Sequence, residues 1–207
     1  MNKKRLLIVF MRNPVLGKTK TRLANDVGDR MAYEVYVKLL EHTHRVAKYA
    51  ICDKIVYYSD KIIHNDIWEK ELFMKAVQSK GDIGMRMEAA FAKAFSDGYQ
   101  SVVVTGTDIF GLTTGIINMA FYKLKSNDFV IGPAKDGGYY LLGMNKMNYD
   151  LFRNKKWSSE IVYGQTIKNF GRSKYYSLPE LTDLDTLDDV GYLIDMESLY
   201  NKTIQNG

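Results

Sequence analysis

Apolar and polar positions along this chain switch between two periods. Arg5–Phe10 is consecutively apolar from Leu6 onward, the pattern of a strand buried on both faces. Asp53–Tyr58, Ser101–Thr105, Asp128–Gly132, Tyr139–Met144 and Tyr175–Leu178 predict further strands, and Phe73–Val77 a weaker one. Between them the apolar spacing lengthens to that of a helix. Met31–Tyr49 puts Ala32, Val35, Tyr36, Leu39, Leu40, Thr43, Val46 and Ala47 on one broad face. Ile83–Phe95 repeats Ile83, Met87, Ala90, Phe91 and Ala94 in the same way. Thr113 or Thr114 caps a helix running to about Lys125, and Ser159–Phe170 and Thr186–Tyr200 complete the helical set. Trp157-Ser-Ser-Glu160 reads as a cap ahead of its helix, with the Trp free to cover a pocket. Strand–helix units in succession predict an α/β fold of three layers, α/β/α, around a mostly parallel sheet. The absence of a linker, repeat or low-complexity tract in 207 residues predicts one domain over 1–207.

In such sheets ligands sit beyond the carboxyl ends of the strands. The loops after Phe10, Val77, Thr105 and Ile131 are therefore expected on one rim, and they carry the unusual chemistry. The first holds Arg12, Lys18, Lys20 and Arg22 without an acid, with Pro14 and Gly17 setting the turn. A strand, a tight loop and a helix N-terminus make an anion site, because unpaired N–H groups and the helix dipole favour negative charge. Cations at a helix start oppose that dipole, so their presence argues for phosphate, with the arginines as clamps and the lysines as point charges. Gly17-Lys18-Thr19 looks like the tail of a Walker A motif, but the upstream glycine is missing.

The second loop, Gly81-Asp-Ile-Gly84-Met-Arg86, lets backbone approach a flat ligand such as a base, or is a turn in which Asp82 caps a helix. In the third, the buried strand ending in Gly106-Thr-Asp108 projects one carboxylate at the rim, a good ligand for Mg²⁺ or Mn²⁺. The fourth brackets Lys135, Asp136 and Tyr139 with Pro133, Gly137 and Gly138. Asp136-Gly137 alone suggests a hairpin turn; the length and charged tip of the segment suggest a substrate-facing loop, with Asp136 binding a hydroxyl or acting as a base. Further on, Asp183 and Asp185 alternate, so an extended segment points both to one side, where they can complete a metal site with Asp108. Thr186, Asp188 and Asp189 read as an ordinary helix start. His42 and His44, two apart on a helix, face different ways and are poor metal ligands. His64 is expected in a surface loop.

Charge adds one point. The net charge is +5, but its distribution argues against nucleic acid. Residues 1–22 hold seven cations and no acid, and residues 180–197 seven acids and no cation. A nucleic-acid binder more often shows a basic stripe with exposed aromatics. No apolar run is long enough for a membrane span, no secretory leader is evident, and the expected location is the cytoplasm. The single Cys52 excludes an intramolecular disulfide.

These segments together resemble the nucleotide-diphospho-sugar transferase superfamily, with its Rossmann-like glycosyltransferase-A fold. They are closest to a bacterial family of mostly uncharacterised proteins, some labelled arsenosugar-biosynthesis glycosyltransferases. The resemblance runs from about Leu6 to Val190. It rests on Asn13-Pro-Val-Leu-Gly-Lys-Thr-Lys-Thr-Arg-Leu-Ala24, Gly81-Asp-Ile-Gly-Met-Arg-Met87, Gly106-Thr-Asp108, Gly132-Pro-Ala-Lys-Asp-Gly-Gly-Tyr-Tyr-Leu-Leu-Gly143, Trp157-Ser158 and Asp183-Leu-Asp-Thr186. The first loop and the Asp136-Gly-Gly138 segment are also similar to 2-phospho-lactate guanylyltransferases. The resemblance implies a nucleotide or nucleotide-sugar donor over the first loop, with its base near Gly81–Arg86. It implies a divalent metal at Asp108, shared with Asp183 or Asp185, and a small-molecule acceptor near Asp136, Gly137, Gly138, Tyr139 and Trp157. Two positions depart from the family pattern. Ile109-Phe110 stands where Cys-Pro is usual, and Leu16 where a proline is usual. Gly106 also removes the first acid of an Asp-x-Asp pair, and a lone Asp108 is more like the nucleotidyltransferase branch. Glycosyl transfer and nucleotidyl transfer both fit, and a nucleotide-binding module without catalysis is the contrasting class.

Overall fold

The computed structural model describes residues 4–157, 159–187 and 189. The chain runs β1 (Arg5–Met11), α1 (Thr21–Lys48), β2 (Asp53–Tyr58), β3 (Met74–Val77), α2 (Ile83–Ser96), β4 (Ser101–Thr105), α3 (Thr114–Lys123), β5 (Phe129–Pro133), β6 (Tyr139–Met144), α4 (Val162–Phe170) and β7 (Tyr175–Ser177). The strands form one seven-stranded sheet in the order β3-β2-β1-β4-β6-β5-β7. Among the described strands only β6 runs against the rest; it pairs antiparallel with β4 and β5. The layering is the expected α/β/α.

The alternation of side chains across the sheet builds its two cores. Leu7, Val9 and Met11 of β1 pack with Tyr36 and Leu40 of α1 and Ile117 and Phe121 of α3. Leu6, Ile8 and Phe10 point the other way, toward Met87 and Phe91 of α2 and Phe170 of α4. Both faces of β1 and β4 are covered, which is why Leu6–Met11 and Val102–Val104 are unbroken apolar runs.

Three boundaries differ from expectation for local reasons. The first helix starts ten residues early, at Thr21, and is broken at Gly28, whose φ of 82° and ψ of 158° are non-helical. The apolar periodicity read from Met31 onward belongs to the segment after that break. The 157–160 segment is not a side-chain cap: α4 begins at Val162 with no side-chain cap bond. The N–H of Tyr163 instead donates to Gly137 O of the β5–β6 hairpin at 2.9 Å, so tertiary contact replaces the local cap. Thr113 caps α3 as expected, accepting from Ile116 N–H at 3.2 Å. The predicted helix Thr186–Tyr200 lies largely outside the described residues. Among the described residues no helix is long and apolar enough to cross a membrane.

Candidate functional site

With β1, β2, β3, β4, β5 and β7 parallel, their carboxyl ends share one rim. A cleft of about 1050 Å³ opens there, at the top of the usual range for a small-molecule site. Its walls carry Arg12, Lys20 and Arg22 from the first loop, Gly106 and Asp108 from the third, and Asp136, Gly138 and Tyr139 from the fourth. Trp157 lies above α2, and Asp183 and Asp185 come from the segment after β7.

Backbone bonds across the rim bring the last segment in. Leu181 N–H donates to Pro133 O at 3.1 Å, Lys135 N–H to Leu181 O at 3.0 Å, and Leu184 N–H to Asp108 O at 3.0 Å. Leu184 is buried against Leu23, Ala32 and Leu39 of α1. These ties place Asp183 and Asp185 beside Asp108 although the chain separates them widely.

Lys20 is the centre of the arrangement. Its Nζ donates to Asp185 Oδ1 at 2.9 Å and lies 2.8 Å from Asp108 Oδ1, while its side chain is only 5% exposed. Burial works against its charge, but Asp108 and Asp185 outweigh burial, and its pKa lies above the ordinary value. Lys20 is also the N-cap of α1, in a left-handed conformation with φ 49° and ψ 46° and no side-chain cap bond. That conformation costs a non-glycine residue roughly 1–2 kcal/mol, so the backbone is strained where the side chain is most constrained.

Two groups near Lys20 lack partners. Asp183 Oδ1 and Thr19 Oγ1 are buried without a hydrogen bond. Burial first, then the charges of Asp136, Asp108 and Asp185, push the Asp183 carboxyl up to about 7 against the pull of Lys20. Four carboxylates thus converge on one wall. Among the described residues no three or more His, Cys, Asp or Glu side chains form a ready cage for an ion. A magnesium-like ion does not need one, since it takes one or two carboxylates with phosphate and water.

The other expected residues fall on either side of the cleft wall. Arg12 and Arg22 line it, and Arg22 is 78% exposed with a guanidinium nitrogen 3.9 Å from Asp185. The backbone of Arg12 is pinned by Tyr36, whose hydroxyl accepts from Arg12 N–H at 2.9 Å and donates to Arg12 O at 2.8 Å. Gly17 and Lys18 are exposed in a turn and are not among the lining residues. In the second loop the turn with an Asp82 cap is what forms: Asp82 accepts from Met85 N–H at 2.9 Å. Arg86 ties the loop internally, donating to Gly81 O at 2.8 Å and Gln78 Oε1 at 3.3 Å, and is not among the residues lining the cleft. Gly84 does allow the close approach of a flat group, but that group is the indole of Trp157, which an added methyl would overlap.

The Asp136 segment forms the hairpin turn that Asp136-Gly137 predicts. It is the tip of the β5–β6 hairpin, with Asp136 Oδ1 accepting from Gly138 N–H at 2.8 Å, and it faces the cleft. Gly137, at φ 85°, lies so close to the Glu160 carbonyl that a side chain would collide. Tyr139 lines the cleft, and its hydroxyl is 3.9 Å from Met87 Sδ. His42 bonds Leu112 O at 2.9 Å and His44 bonds Glu69 at 2.7 Å. Tyr36, Thr19 and Lys156 also line the cleft and were not singled out from sequence. Tyr36 is hidden in a core-facing helical stripe, and only the proximity of Thr19 to Lys20 could have drawn attention to it.

A model of a protein family described as "Uncharacterized protein conserved in bacteria (DUF2064)" matches residues 40–159. Among solved structures, the chain is similar to a "putative nucleotide-diphospho-sugar transferase" from Desulfovibrio desulfuricans G20. The identity is 32%, over 92% of this chain and 86% of that one, with a TM-score of 0.85. Its fold is also that of 4-diphosphocytidyl-2C-methyl-D-erythritol synthase from Anaerococcus prevotii DSM 20548, at 14% identity and TM-score 0.62, covering 92% and 94% of the two chains. Rv0371c from Mycobacterium tuberculosis H37Rv, solved in complex with manganese, shares it at 12% identity and TM-score 0.56, covering 93% and 98%. No curated protein matches by sequence.

Proposed function

We propose a function for this protein on the premise that it belongs to the bacterial DUF2064 family, within the nucleotide-diphospho-sugar transferase superfamily. It is a divalent-metal-dependent transferase, a single domain over residues 1–207, acting in the cytoplasm. In this reading it moves a glycosyl group from a nucleotide-diphospho-sugar to a small acceptor. The observation that carries the reading is the meeting of Lys20, Asp108, Asp183 and Asp185 at the carboxyl rim of the sheet, inside a cleft large enough for a nucleotide sugar.

The residues fit a divalent ion, because Asp183 Oδ1 is buried and unpartnered among three other carboxylates. Asp108, with Asp183 or Asp185, would hold Mg²⁺ or Mn²⁺, which would supply charge neutralisation for the phosphates. Arg12 and Arg22 clamp phosphate oxygens beside the N–H groups of the first turn of α1. Gly17 and Lys18 shape that turn and add distant positive charge. Gly84 seats Trp157, and Gly81 and Arg86 hold the turn ahead of α2, so the base meets a wall built on them. Gly137, Gly138, Tyr139 and Trp157 bound the acceptor space, and Asp136 takes the proton of the attacking hydroxyl. Catalysis is then mainly alignment and charge stabilisation, with Asp108 and Asp136 as the catalytic pair.

A second reading is favoured by the three cations on one side of the cleft, Arg12, Lys20 and Arg22. That is more charge than a diphosphate needs, and it suits a triphosphate attacked by a phosphorylated small molecule with release of pyrophosphate. One calorimetric panel separates the two: UDP-sugars, GDP-sugars and the four nucleoside triphosphates, each with and without Mn²⁺. Metal-dependent binding of one nucleotide sugar, abolished in Asp108→Ala, is the expected result. Preference for a free triphosphate moves the assignment to nucleotidyl transfer. Binding of none of them defeats both.

A further inference from the structure

Lys20 carries a charge that is already committed. Its ammonium bridges Asp108 and Asp185 at 2.8 and 2.9 Å from the inner side, while the two carboxylates are 46% and 40% exposed toward the cleft. A lysine serving only to join loop and strand would sit in a network with its polar groups satisfied. Here the adjoining Asp183 Oδ1 and Thr19 Oγ1 are buried without partners.

We propose that Lys20 is an internal counter-ion that couples metal binding to polyphosphate binding. Its ammonium neutralises Asp108 and Asp185 in the free protein, then turns to the phosphates when a divalent cation takes its place. The proposal rests on the transferase reading given above.

A divalent cation placed on Asp108 or Asp185 beside an ammonium is repelled, which favours a swing of Lys20 away from them. Its flexible four-carbon stem allows this without changing the constrained backbone. With metal alone, the displaced ammonium has no anion to meet. With polyphosphate alone, the ligand faces Asp108, Asp136, Asp183 and Asp185 while Lys20 remains occupied. Together each ligand supplies what the other displaces. The freed ammonium stands at the N-terminus of α1, where the first-turn N–H groups also favour phosphate. Binding of the two ligands is therefore positively coupled, and the coupling is reciprocal.

The test is a Mn²⁺ titration of the full chain by calorimetry, alone and with UDP, GDP, CTP or GTP, corrected for the ion–nucleotide complex formed in solution. The unmodified protein is expected to bind Mn²⁺ about 5–150-fold more tightly when its nucleotide is bound. Lys20→Met should bind Mn²⁺ alone about tenfold more tightly than the unmodified protein, with the nucleotide effect reduced to about threefold or less. Lys20→Gln should do the same, and circular dichroism and thermal melting check that both variants fold. Equal Mn²⁺ affinity in the unmodified and neutral-variant proteins overturns the counter-ion role, and the transferase reading survives if nucleotide still binds. Mn²⁺ binding by the unmodified protein that ignores nucleotide also overturns it, without recourse to any variant. Failure of every nucleotide to bind any of the proteins removes the transferase reading and this proposal with it.

Discussion

Lys75 and Lys20 are both lysines drawn out of solvent by aspartates, with side chains 11% and 5% exposed. Around Lys75 everything is paired. Its Nζ donates to Asp66 Oδ1 at 2.7 Å and to Ile63 O at 2.8 Å. The same aspartate accepts from Tyr58 Oη at 2.6 Å and from Trp68 N–H at 3.0 Å. Tyr58 and Trp68 lie in the core beside Phe73, and Asp66 is itself 15% exposed. Around Lys20 the carboxylates are half exposed, the backbone is in a left-handed conformation, and Asp183 Oδ1 and Thr19 Oγ1 lack partners. A satisfied polar network fixes a fold, whereas a partly satisfied one beside a cleft is arranged for something that arrives.

Asp66→Ala should give the largest effect on stability. It strands a buried ammonium, at a cost of about 3–5 kcal/mol, measurable by urea denaturation. Nucleotide affinity per folded molecule should not change. A loss of binding at unaltered stability would break the comparison.

Asp108→Ala is the opposite case. Transfer should fall by about 10²–10³-fold, in line with removing one group that stabilises developing charge, while stability moves by about 1 kcal/mol or less because the residue is half exposed. Steady-state kinetics and thermal melting on one preparation decide this. Equal damage to folding and activity would put Asp108 in the same class as Asp66.

Thr19→Val sharpens the contrast. Removing a buried hydroxyl that makes no bond should leave stability unchanged or raised by about 1 kcal/mol. Nucleotide affinity should fall by roughly threefold to tenfold if the hydroxyl serves the phosphates. A destabilised variant would show that Thr19 belongs to the packing alone.

The smallest effect is expected at Cys52. Burial pushes its thiol up to about 11, ahead of the opposing influence of Lys54. At pH 8 the thiolate fraction is then roughly two orders of magnitude below that of an unperturbed cysteine. Iodoacetamide should label the folded protein slowly, and Cys52→Ala should leave nucleotide binding intact. Rapid labelling with loss of binding would contradict the view that the chemistry is confined to the carboxyl rim.

Much of this was legible in the sequence because it is local. Leu6–Phe10 and Val102–Val104 are apolar without interruption since both faces of a central parallel strand are covered. Asp108 and Asp136 stood out because each ends a strand or tips a hairpin next to glycine. Other features were not legible. The 81–86 loop reads equally as a loop for a base and as a turn capped by Asp82; the bonds of Arg86 to Gly81 O and Gln78 arise only in the folded chain. Trp157 was visible as a residue, but its seat on Gly84 joins segments that no local rule connects. The missing side-chain cap of α4 is supplied by a carbonyl from a distant hairpin.

Local side-chain pattern suffices for the alternation of strands and helices, the basic loop after the first strand and the acidic segment near Asp183. Those depend on side-chain periodicity and turn chemistry within a few residues. Only the tertiary structure decided that the two charged segments meet, with Lys20 between Asp108 and Asp185. That meeting follows from Leu184 packing against α1 and from backbone bonds of the 181–184 segment to Pro133, Lys135 and Asp108. Their energy depends on which surfaces the folded sheet presents to one another, and distance along the chain does not encode it.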